Sequence, residues 1–445
     1  MAAKISPGPL PQIRSLSPNS SKQGGPGFTL SIVGSQFLPG SSVHWNSRVL
    51  SATFVNSNLL TARIPAAFLD AATSAAIWVE GPGSSPAKSN LMTFPVPCPV
   101  AAPTAAATQT RTRLGAYYFD GWSGSLTSQA FSGMPFGDYR DHEPFSGWQD
   151  SSACAVERQL AWGRNFGFDF FVFDWYFHSQ RNDAGVNLNS ALQITHALPD
   201  RHGMQYAILY VDSPPFMVSP QNWDLAIAEW LGYMSDPDYV TVNGKPLLII
   251  YDMQALRQDF GDSDSVAHAF SQLRDAAIAQ GLPGVYIAGA FYGSYDSSTN
   301  SGDFPDLSRS VAEGYDAITM YNYSAAGENE QRPFSTLSQT GHWLWDQAAQ
   351  KSPLPFIPVA MDGWDARPWQ EGGGWYQRTP QDVAEFVESA ILWADANSQL
   401  RPEPATVPPL VLVEAWNELG EGSYIVPTVG DSTSYGDALA TTLLK

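Results

Sequence analysis

The stretch Phe166-Gly-Phe-Asp-Phe-Phe-Val-Phe-Asp-Trp-Tyr176 sets a short apolar run, Phe168–Phe173, behind a helical pattern at Ala153–Phe166 and ends it on an acid and two rings. A run of that length suits a strand, and apolar residues at helical spacing suit the element before it. The same unit recurs down the chain. Strands are expected at Leu114–Phe119, Phe168–Phe173, Gln205–Tyr210, Pro246–Ile250, Val285–Ala290, Ala317–Met320, Phe356–Ala360 and Pro409–Val413. Between them lie helical patterns such as Trp223–Met234, Val266–Ala279, Leu337–Gln350 and Gln381–Ala394. Eight strands alternating with helices over about 330 residues predict an α/β fold, a (β/α)8 TIM barrel, ahead of an open doubly wound sheet. The first strand runs into Asp120-Gly-Trp-Ser-Gly124, which lacks the Gly-rich phosphate fingerprint opening a helix, so nucleotide-dependent chemistry finds no support.

Upstream the period changes to two. Phe28, Leu30 and Ile32 alternate with Thr29 and Ser31; Val43 and Trp45 flank His44; Ile77 and Val79 flank Trp78. Such strands have one buried face, and their spacing between Gly/Pro/Ser/Asn turns predicts a small all-β sandwich over residues 5–97. Residues 98–113 are rich in Pro, Ala and Thr with no hydrophobic period, the composition of a linker. The barrel then takes residues 114–445.

Composition narrows the chemistry. The formal charge is −20, which opposes binding to a phosphate backbone or to an anionic membrane surface. No window approaches the ~18–20 apolar residues of a membrane span. Charged residues make up 15% of the chain and aromatic ones 13%, with 15 Trp, a balance suited to a neutral hydroxylated ligand that stacks on rings. The partner expected is therefore a polysaccharide or oligosaccharide, not nucleic acid. Cys98 and Cys154 are too few for a disulfide framework or a metal cluster; a single bridge between them is the most they can make. His44, His142, His178, His196, His202, His268 and His342 show no HxH or HExxH spacing, so neither a zinc site nor any cofactor is expected. A GxSxG elbow is absent as well. The start of the chain lacks a signal-peptide pattern, and the expected location is secreted, surface or periplasmic with the export signal removed, with a cytoplasmic protein as the alternative.

In a barrel the chemistry sits at the C-terminal ends of the strands. Strand one ends in Tyr118, Asp120 and Trp122, strand two in Asp174, Trp175 and Tyr176, strand three in Asp212. Strand four ends in Tyr251 and Asp252, strand five in Tyr292, strand six in Tyr321 and Asn322, strand seven in Asp362 and Trp364. Strand eight runs into Val413-Glu-Ala-Trp-Asn-Glu-Leu-Gly-Glu-Gly-Ser-Tyr-Ile-Val-Pro427. One acid after a strand usually caps a helix; acids after six strands describe an acidic cup walled with rings. Glu418 and Glu421 lie three apart, and a roughly helical turn would set both on one face. Two close carboxylates resist joint ionisation, which leaves one as acid and the other as base. The alternative is that the pair caps the following helix.

The N-terminal stretches Ile13-Arg-Ser-Leu-Ser-Pro18, Gly25–Gly34, Phe37–Asn46 and Leu60–Ala66 resemble the IPT/TIG family of immunoglobulin-like domains, which implies a spacer or adhesive module. Gly115–Phe119, Phe166–Tyr176, Val242–Tyr251 and Trp416-Asn-Glu-Leu-Gly-Glu-Gly-Ser-Tyr424 together resemble glycoside hydrolase family 99 and, more closely, the WbsX-like family. The former resemblance implies an endo-acting, retaining α-mannosidase in which Glu418 matches the residue assisting the substrate's 2-hydroxyl and Glu421 the general acid/base. Leu419 and Gly420 depart from the family pattern, where Trp and, in the mannan-cleaving enzymes, His stand. The motif is also similar to that of the family 71 α-1,3-glucanases, which implies an inverting route with Asp174 as a further carboxylate.

The expectation is thus a glycoside hydrolase. Glu421 protonates the leaving oxygen, Glu418 acts as base and Asp174 stands near the anomeric carbon. Trp122, Trp175, Tyr321, Trp364 and Trp416 stack on sugars, and Asp120, Asp212, Asp252, Asn322 and Asn417 bind hydroxyls. Tyr118, Tyr176, Tyr251, Tyr292 and Asp362 complete the binding set, and loops Ser123–Gly147 and Tyr292–Asp306 shape the subsites. A silent polysaccharide-binding barrel and a transferase in polysaccharide assembly are the rival functions.

Overall fold

The computed structural model describes residues 10–22, 25–46, 48–69, 73–83, 87–96, 112–122, 139–177, 187–323, 330–369, 374–400 and 407–443. Most of the linker expected at 98–113, Cys98, His178 and the first part of the loop Ser123–Gly147 lie outside these residues. Cys154 is disulfide-bonded. No helix among the described residues is long and apolar enough to cross a membrane.

The chain packs as two units, the first comprising Met1–Ala101, Gln149–Arg158 and His178–Arg201 and the second the remainder. In the first unit seven antiparallel strands run β1 (Gln12–Ser17), β2 (Phe28–Ser35), β3 (Ser42–Trp45), β4 (Arg48–Asn56), β5 (Leu59–Ile64), β6 (Thr73–Glu80) and β7 (Met92–Val96). Their spatial order is β1-β2-β5-β4-β3-β6-β7. The period-two residues form the core: Leu30, Ile32, Val43, Trp45, Ile77 and Val79 are buried, while Thr29 and Val33 on the opposite face of β2 are exposed. The edge strand β7 is covered from Ser190–Ala197, where Gln193 Oε1 accepts a hydrogen bond from Thr93 N at 2.8 Å. Covering an edge removes a template for stray strand pairing.

The second unit is a parallel barrel. Its strands are β8 (Arg113–Tyr118), β9 (Phe170–Trp175), β10 (Gln205–Tyr210), β11 (Lys245–Ile250), β12 (Tyr286–Ala290), β13 (Ala317–Thr319), β14 (Val359–Met361) and β15 (Leu410–Glu414). They pair in the order β13-β12-β11-β10-β9-β8-β15-β14. The ring closes where Ile318 N donates to Pro355 O and Ile357 N to Ile318 O, at 2.9 and 3.0 Å. β9 and β15 are buried at every residue, as strands between a barrel interior and a helical coat must be. The coat includes α1 (Ala153–Phe166), α2 (Trp223–Met234), α3 (Met253–Phe260), α4 (Ser263–Ala279), α5 (Phe334–Lys351) and α6 (Pro380–Ala396). The expected (β/α)8 barrel and all-β sandwich are both present.

Candidate active site

Strand alternation decides which side chains reach the barrel mouth. On β9, Asp174 points inward, and its partner comes from the end of β13. Tyr321 Oη lies 3.1 Å from Asp174 Oδ2 and 2.9 Å from Glu418 Oε1. A phenol carries one proton and donates to one of these carboxyls. The other contact is satisfied when that carboxyl is itself protonated and donates to Oη. One carboxyl proton beside the phenol's own would satisfy both contacts, with one of the two carboxyls neutral and the other ionised. Burial raises both carboxyls above their ordinary range; Tyr321 pulls each down, and their neighbouring acids push them up. The Tyr176 hydroxyl also hydrogen-bonds to Asp174.

After β15 the chain forms a hairpin rather than the helical turn expected: Asn417–Glu418 pairs with Ser423–Tyr424. Glu421 N donates to Glu418 O at 3.1 Å, closing a tight turn that brings the residues at i and i+3 together. The turn achieves what the helix was expected to do. Glu421 bears electrostatically on Asp174, Tyr251 and Glu414, so both acids of the hairpin converge on the cup. Of the two, Glu421 is half-buried and Glu418 buried, which leaves Glu421 the more open to a ligand. His142 Nδ1 meets Leu419 O at 2.9 Å and pins the turn from outside.

Several expected residues are taken up by the protein's own packing and hydrogen bonds. Trp175 alternates with Asp174 and faces the helices, where its indole donates to Glu229 on α2 and packs on Trp230. Tyr118 likewise faces outward against Phe171 and Phe173; Tyr117 beside it is the inward ring, tilted against Tyr321 with centroids 4.7 Å apart. Trp416 donates to Gln159 on α1 and packs on Phe171, so it belongs to the coat. Trp122 is buried, donating to Asn417 O and stacked on Trp369. Asn417 spends both ends of its amide on Phe119 N and O, tying the hairpin to the end of β8 rather than offering them to hydroxyls. Asp252 caps α3 through Gln254 N and Ala255 N, and buried Asp212 accepts from Asp252 N, so the first of these acids is a helix cap and the second holds it.

Other expected residues do gather at the mouth. Tyr251 meets Tyr321 and Tyr292 edge-on. Tyr292, Asn322 and Trp364 line a cleft of about 330 Å³ together with Gly293, Ser294, Asp303 and Tyr323. Tyr176 feels Asp120, Asp174 and Glu418, which sets Asp120 on the same side. Asp362 is fully buried, and burial lifts its carboxyl to about 8 against the pull of Arg378 at 3.7 Å. Glu414, the last residue of β15, is a buried acid that was not singled out, although it ends a strand as the others do. No cluster of three or more His, Cys, Asp or Glu among the described residues is arranged to hold a metal.

Gly420 has an ordinary backbone and is small for lack of room: a methyl there would overlap the Trp369 indole, which lies on the buried Trp122. Gly420→Ala should lower stability by about 1–3 kcal/mol through overpacking and should displace the Glu418–Glu421 turn. Thermal unfolding checks the first effect and turnover the second; a variant as stable as the parent would mean that Trp369 yields freely.

A family model described as glycosyltransferase WbsX matches residues 215–439, and one described as IPT/TIG domain matches residues 11–95. No curated protein matches the chain. Among solved structures, the family 99 endo-α-mannosidase from Bacteroides thetaiotaomicron aligns over 75% of this chain and 96% of its own at 15% identity, with a TM-score of 0.49. The exo-β-1,4-mannosidase Op5Man5 from Opitutaceae bacterium strain TAV5 aligns over 74% and 59% at 14% identity, TM-score 0.40. The TIG domain of human nuclear factor of activated T-cells, cytoplasmic 4, aligns over 21% and 93% at 22% identity, TM-score 0.17.

Proposed function

We propose, for a chain that belongs to the family described as glycosyltransferase WbsX, that it hydrolyses an α-linked polysaccharide or oligosaccharide. The observation that carries the reading is the phenol of Tyr321 between Asp174 and Glu418, with Glu421 on the same cup. Hydrolysis needs a proton for the leaving oxygen, a base for water and negative charge beside an oxocarbenium-like centre. Glu421, the more open carboxyl, is the proton donor. Glu418 is the base, and the Asp174–Tyr321–Glu418 set receives the proton that water gives up. Tyr292, Asn322 and Trp364 offer rings and an amide to a sugar unit beside this centre.

Transfer from a diphosphate-linked donor is the rival that the family description raises. Such a donor needs cationic or amide groups facing its phosphates. The Arg378 guanidinium is instead packed over Tyr424 and Tyr435 and donates to Asp362 O and Tyr424 O. An acidic cup would repel the phosphates. The IPT/TIG domain acts as a spacer outside the cell in this reading.

The test is a panel of α-mannans, α-glucans and bacterial exopolysaccharides incubated with the full chain. New reducing ends are expected on at least one, and proton NMR of the first-formed anomer separates retention from inversion. Sugar incorporation from a nucleotide- or lipid-linked donor, with no free sugar released, would overturn hydrolysis in favour of transfer.

A further inference from the structure

The cleft beside the catalytic cup has one wall whose orientation is fixed by packing. Ser294–Asp296 and Ser301–Asp303 form a short hairpin in which Ser294 pairs with Asp303 and Tyr295 with Gly302. Tyr295 stacks on Trp343 of α5 with centroids 5.0 Å apart and planes 13° apart, and a methyl on Gly302 would fall 2.7 Å from the same indole. That pair therefore faces α5. Strand alternation turns the neighbouring pair, Ser294 and Asp303, to the opposite face, and both line the cleft. A methyl on Gly293 would meet Leu344 of α5 at 2.6 Å, so the hairpin is packed on the helix at its base as well as along its face. Neither the Ser294 hydroxyl nor the exposed Asp303 carboxylate has a hydrogen-bond or ion-pair partner among the described residues. The rest of the lining offers the Asn322 amide, the rings of Tyr292 and Trp364, and Tyr323, whose hydroxyl already donates to Val359 O. Of the described lining residues Asp303 alone is charged.

We propose that Asp303, held by this hairpin, is a specificity-determining residue that makes the cleft a subsite for a sugar unit with a free amino group and closes it to a uronic acid. This rests on the hydrolytic reading of the cup, to which the cleft is joined through Tyr292, Tyr251 and Tyr321, each ring meeting the next edge-on. An ionised carboxylate only accepts hydrogen bonds. A sugar hydroxyl can donate to it, and a protonated amine donates with charge as well, which makes the stronger bond. A uronate brings a second negative charge instead, and no described lining group is a cation that could replace the water it gives up. The rings of Tyr292 and Trp364 supply binding to all three kinds of sugar, so the discrimination falls to the one charged group.

Ligand-observed NMR titration of the full chain tests this with methyl α-glycosides in matched neutral, 2-amino and 6-carboxylate forms, each in the gluco, manno and galacto series. The titrations are run at about pH 6, where the amine is protonated and the carboxylates are ionised. In at least one series the affinities should fall in the order amino, neutral, carboxylate. Asp303→Asn should shrink the ratio of the amino to the carboxylate form ~3–10-fold, the scale of one exposed attraction and one repulsion removed together. It should unfold at the parent's temperature, because the side chain holds no other group. Asp224→Asn, which removes the same charge from an exposed position on α2, should leave that ratio unchanged. Trp364→Ala should weaken every form, which places the binding in the cleft. No binding by any form, an order that fails in every series, binding that survives Trp364→Ala, a ratio unmoved in Asp303→Asn, or an equal change in Asp224→Asn would overturn the proposal. Binding is read without cleavage, so a chain that ranks these sugars through Asp303 yet releases no reducing ends from any polymer would keep the subsite and sink only the hydrolytic reading.

Discussion

Glu421→Gln should lower kcat on a natural glycan ~10²–10⁴-fold, the usual contribution of general acid catalysis. Binding should change little, because the amide keeps the shape and loses the transferable proton. Stability should change little, because Glu421 in its acid form is already uncharged and the amide keeps its size. The defect should depend on the leaving group. An aryl glycoside whose phenol departs as a stable anion needs little protonation, so its loss should be far smaller than that on a sugar leaving group. Equal losses on both substrates would point to a binding or structural role, and full activity on the glycan would remove Glu421 from the chemistry. A loss confined to kcat on the natural substrate alone assigns it as the acid.

How much of this arrangement the sequence discloses depends on the kind of physics involved. Strand length and helical period are local, so all eight barrel strands were legible within a few residues, as was the alternation that buries Leu30 and Ile32 in the sandwich. The acids at 174, 418 and 421 were legible because they follow strands in order and because a short turn keeps i and i+3 close whether it is helical or a hairpin. Ring orientation was not. Asp174 and Trp175 are neighbours, and the pleat forces them to opposite faces; an inward Asp174 already implied an outward Trp175. The same rule exchanges Tyr118 for Tyr117 as the inward ring.

The roles of the other residues depend on partners far along the chain. Asn417 looks like a hydroxyl binder until Phe119, 298 positions away, takes both ends of its amide. Gly420 looks like turn punctuation until Trp369 is found in the space its side chain would need. Asp252, expected to bind hydroxyls, instead follows the plainest rule, since an acid after a strand most often caps the helix that comes next. Glu414 escaped for the opposite reason: its position ends a strand like the rest, and only the fold brings Asp362, Glu418 and Glu421 around it.

Tyr321→Phe should change the pH dependence more than any other neutral substitution at the site. The Tyr321 hydroxyl donates to whichever of Asp174 and Glu418 is ionised, and it lowers the pKa of both. Without it the ionised form loses a hydrogen bond to charge, worth about 1.5–3 kcal/mol, or roughly one to two pKa units. The sign follows from the role. A base works when ionised, so kcat/KM is lost as pH falls through its pKa; raising that pKa moves the acid limb to higher pH. At pH 7 the variant should run ~10–100-fold slower, with much of the loss recovered as the pH is raised past the shifted limb. A silent binding barrel would show no such limb, and a purely structural Tyr321 would lower activity evenly across the pH range. Asp174→Asn supplies the counterpart: with one carboxyl gone the repulsion between the two acids disappears, and the Glu418 pKa should fall. Opposite movements of the acid limb in the two variants would show that one proton is shared through the phenol, and movement in the same direction would show that it is not.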